Sequence, residues 1–148
     1  MRLLLLTLLV WWPSRAVTQQ VVLPTGTLTL PPGFTHQAQR GTDSYPGRIV
    51  AQDGSLVIQY DIGPMAGAHV HPSRRGDFVW FLEHDVNGYQ AYTGMFLKDR
   101  RRWLATTVLG QGRDPLAFPA NFEAMIRGER EQAAFLLIVA SYRPRAER

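Results

Sequence analysis

The chain has 148 residues, 45% of them apolar, with 16 basic and 12 acidic side chains, four histidines and no cysteine. That length suits a single domain with one core, and the lack of cysteine excludes disulfides, thiolate metal sites, cysteine nucleophiles and a cysteine-linked lipid anchor. Removing Arg2 and Arg15 with residues 1–16 leaves 14 basic and 12 acidic groups, a net charge of +2, which gives no support to nucleic-acid binding.

The first residues, MRLLLLTLLVWWPSRA, place a cation at Arg2 before an apolar run from Leu3 to Trp12, then Pro13 and the small-residue pattern ending at Ala16. Ten apolar residues are too few to span a bilayer as a helix, so the segment reads as a secretory signal peptide cleaved after Ala16, with a retained anchor as the alternative. No later segment is long enough to span, so the expected location is secreted or periplasmic, with residues 17–148 forming one α+β domain.

The mature part opens on an extended stretch punctuated by Pro24, Gly26, Pro31, Pro32 and Gly33, with a short strand expected at Thr27 to Leu30. Asp53-Gly54 then stands between two runs of branched residues and predicts a two-residue hairpin turn, with Ala51 facing Leu56, Val50 facing Val57 and Ile49 facing Ile58. Asn87-Gly88 predicts a second hairpin in which Val86, His84, Leu82, Trp80 and Phe78 face Tyr89, Ala91, Thr93, Met95 and Leu97 on the core side. The turn Lys98-Asp99-Arg100-Arg101 extends it to a three-stranded meander over 78–109, and Phe122, Ala124 and Ile126 alternate as in another strand.

Beyond Gly128, acids at Glu129 and Glu131 and Pro144 further on bracket a helix with Ala133, Leu136, Leu137 and Ala140 on one face. A strand from Phe135 to Tyr142 competes, because short apolar runs are ambiguous. The architecture expected is an antiparallel sheet of about five or six strands, hairpin-rich, covered on one face by the C-terminal helix.

The stretches GTDSYPGRI, DGSLVIQYDIG, FPANFEAMI and FLLIVASYRP are similar to those of a group of exported bacterial proteins of no assigned function. In layout alone, hairpins and a late helix after the LPPGF opening resemble the α/β/α sandwiches of the PsbP and Mog1 type. The first resemblance implies an exported compartment, and neither carries a ligand-binding residue onto this chain.

The connection Gly63 to Asp77, GPMAGAHVHPSRRGD, is longer than ordinary loops and is either a functional site or an exposed connection. His69 and His71, two apart, would share a side of an extended segment, and His84 could complete a zinc or copper site if the loop folds back over the Asn87-Gly88 turn. Without a third ligand the pair is simply two loop histidines. Arg75-Gly76-Asp77 matches an adhesion tripeptide, but Asp77 sits at the start of a strand, not at a loop tip.

Glu83 and Asp85 share one strand face at a spacing open to acid–base chemistry, although polar residues beside a turn also serve solubility. Lys98, Arg100, Arg101 and Arg102, with Arg74 and Arg75 near, form a basic patch suited to an anionic envelope component. No serine lies in a nucleophile elbow and no nucleotide-binding loop is present. The functional expectation is a non-catalytic binding or accessory domain of the cell envelope, needing no cofactor and contacting an envelope protein or anionic component. The contact surface would comprise Arg74, Arg75, Asp77, Glu83, Asp85, Lys98 and Arg100–Arg102. The alternative is a metal-binding protein or metal-dependent hydrolase using the loop histidines.

Overall fold

The computed structural model describes residues 17–63, 65–110 and 119–145, so the stretch 1–16 expected to be a signal peptide lies outside the described residues. Ten strands and one α-helix occur among the described residues: β1 (Gln19–Leu23), β2 (Gly26–Leu30), β3 (Phe34–Ala38), β4 (Tyr45–Ala51), β5 (Val57–Ile62), β6 (Trp80–Val86), β7 (Tyr89–Lys98), β8 (Arg101–Val108), β9 (Ala120–Ile126), α1 (Glu129–Ala140) and β10 (Arg143–Pro144). Seven of the strands make one antiparallel sheet in the order β3-β4-β5-β9-β8-β7-β6, and β1-β2-β10 make a second, smaller one. The α+β class and antiparallel pairing agree with the sequence. The expected five or six strands are too few, because β1 and β3 are short runs flanking the prolines and glycines 24–33, which read as lead-in.

Both hairpins hold the registers read from their turns. Val50 pairs with Val57 and Ile49 with Ile58, but the turn spans four residues, 52–55, with the Gly54 amide donating to the Ala51 carbonyl at 2.9 Å. The Asn87-Gly88 turn is a two-residue one, with both residues at positive φ, and pairs Val86 with Tyr89, His84 with Ala91, Leu82 with Thr93 and Trp80 with Met95. The meander continues through Asp99-Arg100 into β8, and Phe122, Ala124 and Ile126 are buried on β9 as their alternation predicts.

One face of the large sheet is dry. Ile49, Ile58, Phe122, Ala124 and Leu104 lie there under α1 and the small sheet, whose Leu23, Leu28 and Leu30 complete the same core. The helix forms where expected, but its buried side is Phe135, Ile138 and Val139, followed by Tyr142, whereas Leu137 is 62% exposed. The expected face of Ala133, Leu136, Leu137 and Ala140 is thus the wrong one. Positions 135, 138, 139 and 142 carry the larger ring and branched side chains at helical spacing, and burying those removes more apolar area from water. Leu82 and Leu97, expected in the core, are 52% and 62% exposed because they stand toward the β6 side of the sheet, outside the main cluster. Arg143 and Pro144 extend β2 as a strand and do not cap the helix.

One polar contact ties the layers and another spans strands within the large sheet. The Asn87 side-chain amide donates to the carbonyls of Ala140 and Tyr142 at 3.0 and 2.7 Å, so the turn residue that allows a φ of 52° also satisfies the end of α1. Tyr60 lies over Gly47, where any side chain would collide with its ring, and its hydroxyl stands 2.7 Å from Nε2 of His36. The His36 and Tyr60 rings are stacked, and burial lowers the His36 pKa from its ordinary 6.5 while raising that of Tyr60.

Asn87→Gly keeps the left-handed angle and loses both bonds, an expected cost of about 1–2 kcal/mol. Asn87→Ala should cost about 1 kcal/mol more through backbone strain, both read by urea unfolding. Because the folded chain disfavours protonated His36, the unfolded chain binds more protons, so this histidine's contribution is complete above pH 6.5 and declines as pH falls below it. His36→Gln should therefore flatten the fall in unfolding free energy between about pH 7.5 and about pH 5 relative to wild type; parallel curves would contradict it.

Candidate functional site: a cleft beneath the crossing segment

β9 enters the sheet between β5 and β8, so the chain leaving β5 must travel to β6 at the far edge. Residues 65–79 lie across the sheet face opposite α1, and so the stretch expected as an exposed connection or a metal loop is a cover for that face. Val70 is fully buried in it, against Tyr92 and Ala105, with Phe78, Phe81 and Phe96 around them. Phe78 reaches the sheet because Gly94 opposite has no side chain; a Cβ there would collide with the Phe78 ring.

A segment laid on a sheet brings backbone amides into a dry place and must find them partners. Thr107 on β8 and Asn121 on β9, both essentially buried, supply these. The Val70 amide donates to Thr107 Oγ1 at 2.9 Å and the His69 amide to Asn121 Oδ1 at 3.0 Å. Asn121 Nδ2 donates to the Gly67 carbonyl at 2.7 Å, and the Thr107 hydroxyl donates to Asn121 Oδ1 at 2.7 Å. Asp61, cross-strand from Asn121, keeps one carboxylate oxygen out of solvent with no hydrogen-bond partner among the described residues.

Between this segment and the strands lies a cleft of about 370 Å³. Phe78, Phe96 and Ala105 line its apolar part, and His69, Glu123, Arg74, Asp77 and Lys98 its charged part. His69 Nδ1 stands 3.9 Å from Glu123 Oε2, both side chains partly exposed, and Arg74 Nε donates to Asp77 Oδ2 at 3.0 Å. Lys98 sits over the Trp103 ring, 5.5 Å from its centre. Such a cleft offers an amphipathic ligand an apolar seat and charges of both signs at its mouth.

The histidines expected to meet do not. His69 turns to Glu123 on β9, whereas His71 stands edge-on to Tyr92 on β7 and its Nδ1 lies 2.8 Å from the Ser73 hydroxyl. His84 is on the other face of the sheet, under the helix layer, with Nε2 2.8 Å from Thr93 Oγ1, which in turn contacts Thr106 Oγ1 at 2.8 Å. The segment crosses the opposite face and does not fold over the Asn87 turn, so the sheet separates His84 from His69 and His71. Among the described residues no three His, Asp or Glu side chains stand close enough to hold one metal ion.

The remaining expected contact residues divide between the cleft and its surroundings. Arg75 lies over the Phe81 ring at 5.6 Å, Glu83 accepts from the Gln90 side chain at 2.6 Å, and Asp85 accepts from the Gly88 amide at 2.8 Å and so closes its own turn. Asp77 ends a short 3-10 turn, Pro72–Asp77, that starts from His71, so the Arg75-Gly76-Asp77 tripeptide is not held out at a loop tip. Glu123 was missed from sequence; its only signal was a charge at an otherwise buried alternation in β9.

Asn121→Leu removes the acceptor and donor that hold the segment while filling similar volume. Hydrogen exchange at the His69 and Val70 amides should accelerate at least tenfold, and stability should fall by about 2–3 kcal/mol because several buried groups lose partners. Unchanged protection at those amides would show that the segment is held by other contacts.

The described residues contain no helix long and apolar enough to cross a membrane. No protein-family model, curated protein or solved structure matches this chain.

Proposed function

We propose that the protein is an exported, non-catalytic binding domain of the cell envelope, and that its ligand occupies the cleft beneath residues 66–78. The observation that carries this reading is the composition of that cleft: two phenylalanines beside a charged mouth, with no serine, threonine, tyrosine or cysteine in its lining. Ser73 lies outside that lining, and its hydroxyl is engaged with His71 Nδ1 at 2.8 Å on the exposed side. Export belongs to the same proposal and rests on Arg2, the Leu3–Trp12 run and Ala16, and kinship with exported bacterial proteins rests on the stretches GTDSYPGRI, DGSLVIQYDIG, FPANFEAMI and FLLIVASYRP.

The cleft suits a small molecule or a single peptide side chain by volume. An apolar group would lie on Phe78 and Phe96, and a polar end would meet Lys98 or the His69–Glu123 pair. The rival reading, metal binding through the loop histidines, gains only the nearness of His69 and Glu123, two donors where a held ion needs three or more.

The test is native mass spectrometry of the purified chain after incubation with a small-molecule extract of bacterial envelope, beside Ala68→Trp, which fills the cleft from its rim. Wild type should retain a compound that raises its melting temperature by several degrees, as binding near a hundredfold above Kd would, and Ala68→Trp should retain none. Identical, empty spectra for both proteins would sink the reading, and one equivalent of added zinc lost on His69→Ala would favour the rival.

A further inference from the structure

At the opposite end of the sheet from the Asn87 turn, the β7–β8 turn and the exit of β9 collect arginines. Lys98 pairs directly with Arg101 across the hairpin, and Arg102 pairs with Ile126, so the next position outward brings Arg101 beside Arg127. Lys98, Arg101 and Arg127 thus form a row across three neighbouring strands on one face. Arg100, Arg101, Arg102 and Arg127 line a cleft of about 420 Å³ with Met125 and Ile126 as its apolar side. Like charges directly opposite one another across strands oppose pairing, and among the described residues no carboxylate offsets them, the Trp103 ring beneath Lys98 being the one partner that faces a cation of the row with π density. The ion pairs found among the described residues are His69 with Glu123 and Arg74 with Asp77, and neither involves this row. Asp99, in the turn itself, pairs with none of its basic neighbours within that set.

The backbone carries a second, independent cost at the same place. Asp99 and Arg100 have φ of 53° and 61°, the left-handed region that a two-residue hairpin turn requires. Asparagine and glycine occupy the matching turn at 87–88, whereas here an arginine stands where glycine is least strained. Like charges set opposite one another and strained backbone at one spot mark a site whose residues serve something other than folding. Two of the side chains are already aimed: Arg102 donates to the Arg127 carbonyl at 3.1 Å, and Arg101 lies against the Met125 sulfur at 3.8 Å.

We infer that this arginine-lined cleft binds closely spaced phosphate groups. Guanidinium groups present planar donor pairs that match phosphate oxygens two at a time, and a row of three cations on adjacent strands suits a ligand with more than one phosphate. Phosphate-bearing lipid headgroups and soluble polyphosphate share this chemistry. The site adjoins the cleft under the crossing segment at Lys98, which lines that cleft, but its own walls are Arg100, Arg101, Arg102 and Arg127, and neither reading depends on the other.

The test measures binding of the purified chain to inorganic tripolyphosphate by calorimetry, and to phosphatidylcholine vesicles with and without phosphatidylglycerol by co-sedimentation. Binding to tripolyphosphate alone supports a soluble ligand, and binding to the anionic vesicles alone supports a lipid headgroup. In either case Arg101→Gln/Arg127→Gln should weaken it at least tenfold, while Arg40→Gln/Arg48→Gln, which removes the same charge elsewhere, should change it less than twofold. Arg100→Gly gives the second readout: its melting temperature without ligand should rise as the turn relaxes, while its affinity falls. No binding to either probe overturns the inference, as does an equal loss in both double variants.

Discussion

Placing β9 between β5 and β8 is the constraint from which the rest of this structure follows. Once those central positions are filled by a late strand, the chain leaving β5 has no neighbouring slot and must reach the far edge over one face of the sheet. A covered face needs apolar side chains beneath the crossing and hydrogen-bond partners for the crossing backbone. Val70 supplies the first and the Thr107–Asn121 pair the second. The crossing is a single strip anchored over β8 and β9, and the cleft lies between it and the strands, with Phe78 and Phe96 in its lining.

The two faces of the sheet consequently differ in kind. Under α1 and the small sheet the packing is continuous and apolar, and its polar groups are partnered, His84 through Thr93 to Thr106 in one chain and His36 with Tyr60 in another contact. Such buried polar groups cost little while each has a partner. On the other face the cover is partial, so charged side chains reach its margins, and His69 and Glu123 come together there without leaving water entirely. A histidine's strand parity thereby decides its chemistry: His84 serves packing, His69 lines the cleft.

Charge is distributed with similar economy except at one end. Arg74 has Asp77, Arg75 has the Phe81 ring, and Asp85 is occupied by its own turn. The turn 98–101 departs from that pattern by setting Lys98 opposite Arg101 and by its backbone angles, whereas the turn at 87–88 uses the residues that such a turn prefers and adds two bonds to the helix end. The two hairpin ends of β7 are alike in geometry and opposite in what their residues contribute to stability.

The hairpins, their registers, the late helix and the α+β class were legible in the sequence because each depends on neighbours in the chain. Asn87-Gly88 sets local backbone angles, alternation sets strand faces, and Gly128 with Glu129 marks a helix start. The short strands β1 and β3 were not legible, since their pairing stabilises residues whose own preferences are weak. Nor was the buried side of α1, which was set by how much ring and branched surface could meet β9. Of the candidate site, the sequence marked the segment 63–77 and the basic turn, but not Glu123, Asn121, Thr107 or Arg127. Those residues lie tens of positions away, and only the insertion of β9 between β5 and β8 brings them to the same face. Sequence alone determined the local turns and strands, and tertiary structure decided which face each side chain serves, because strand order is settled by packing between segments that are distant in the chain.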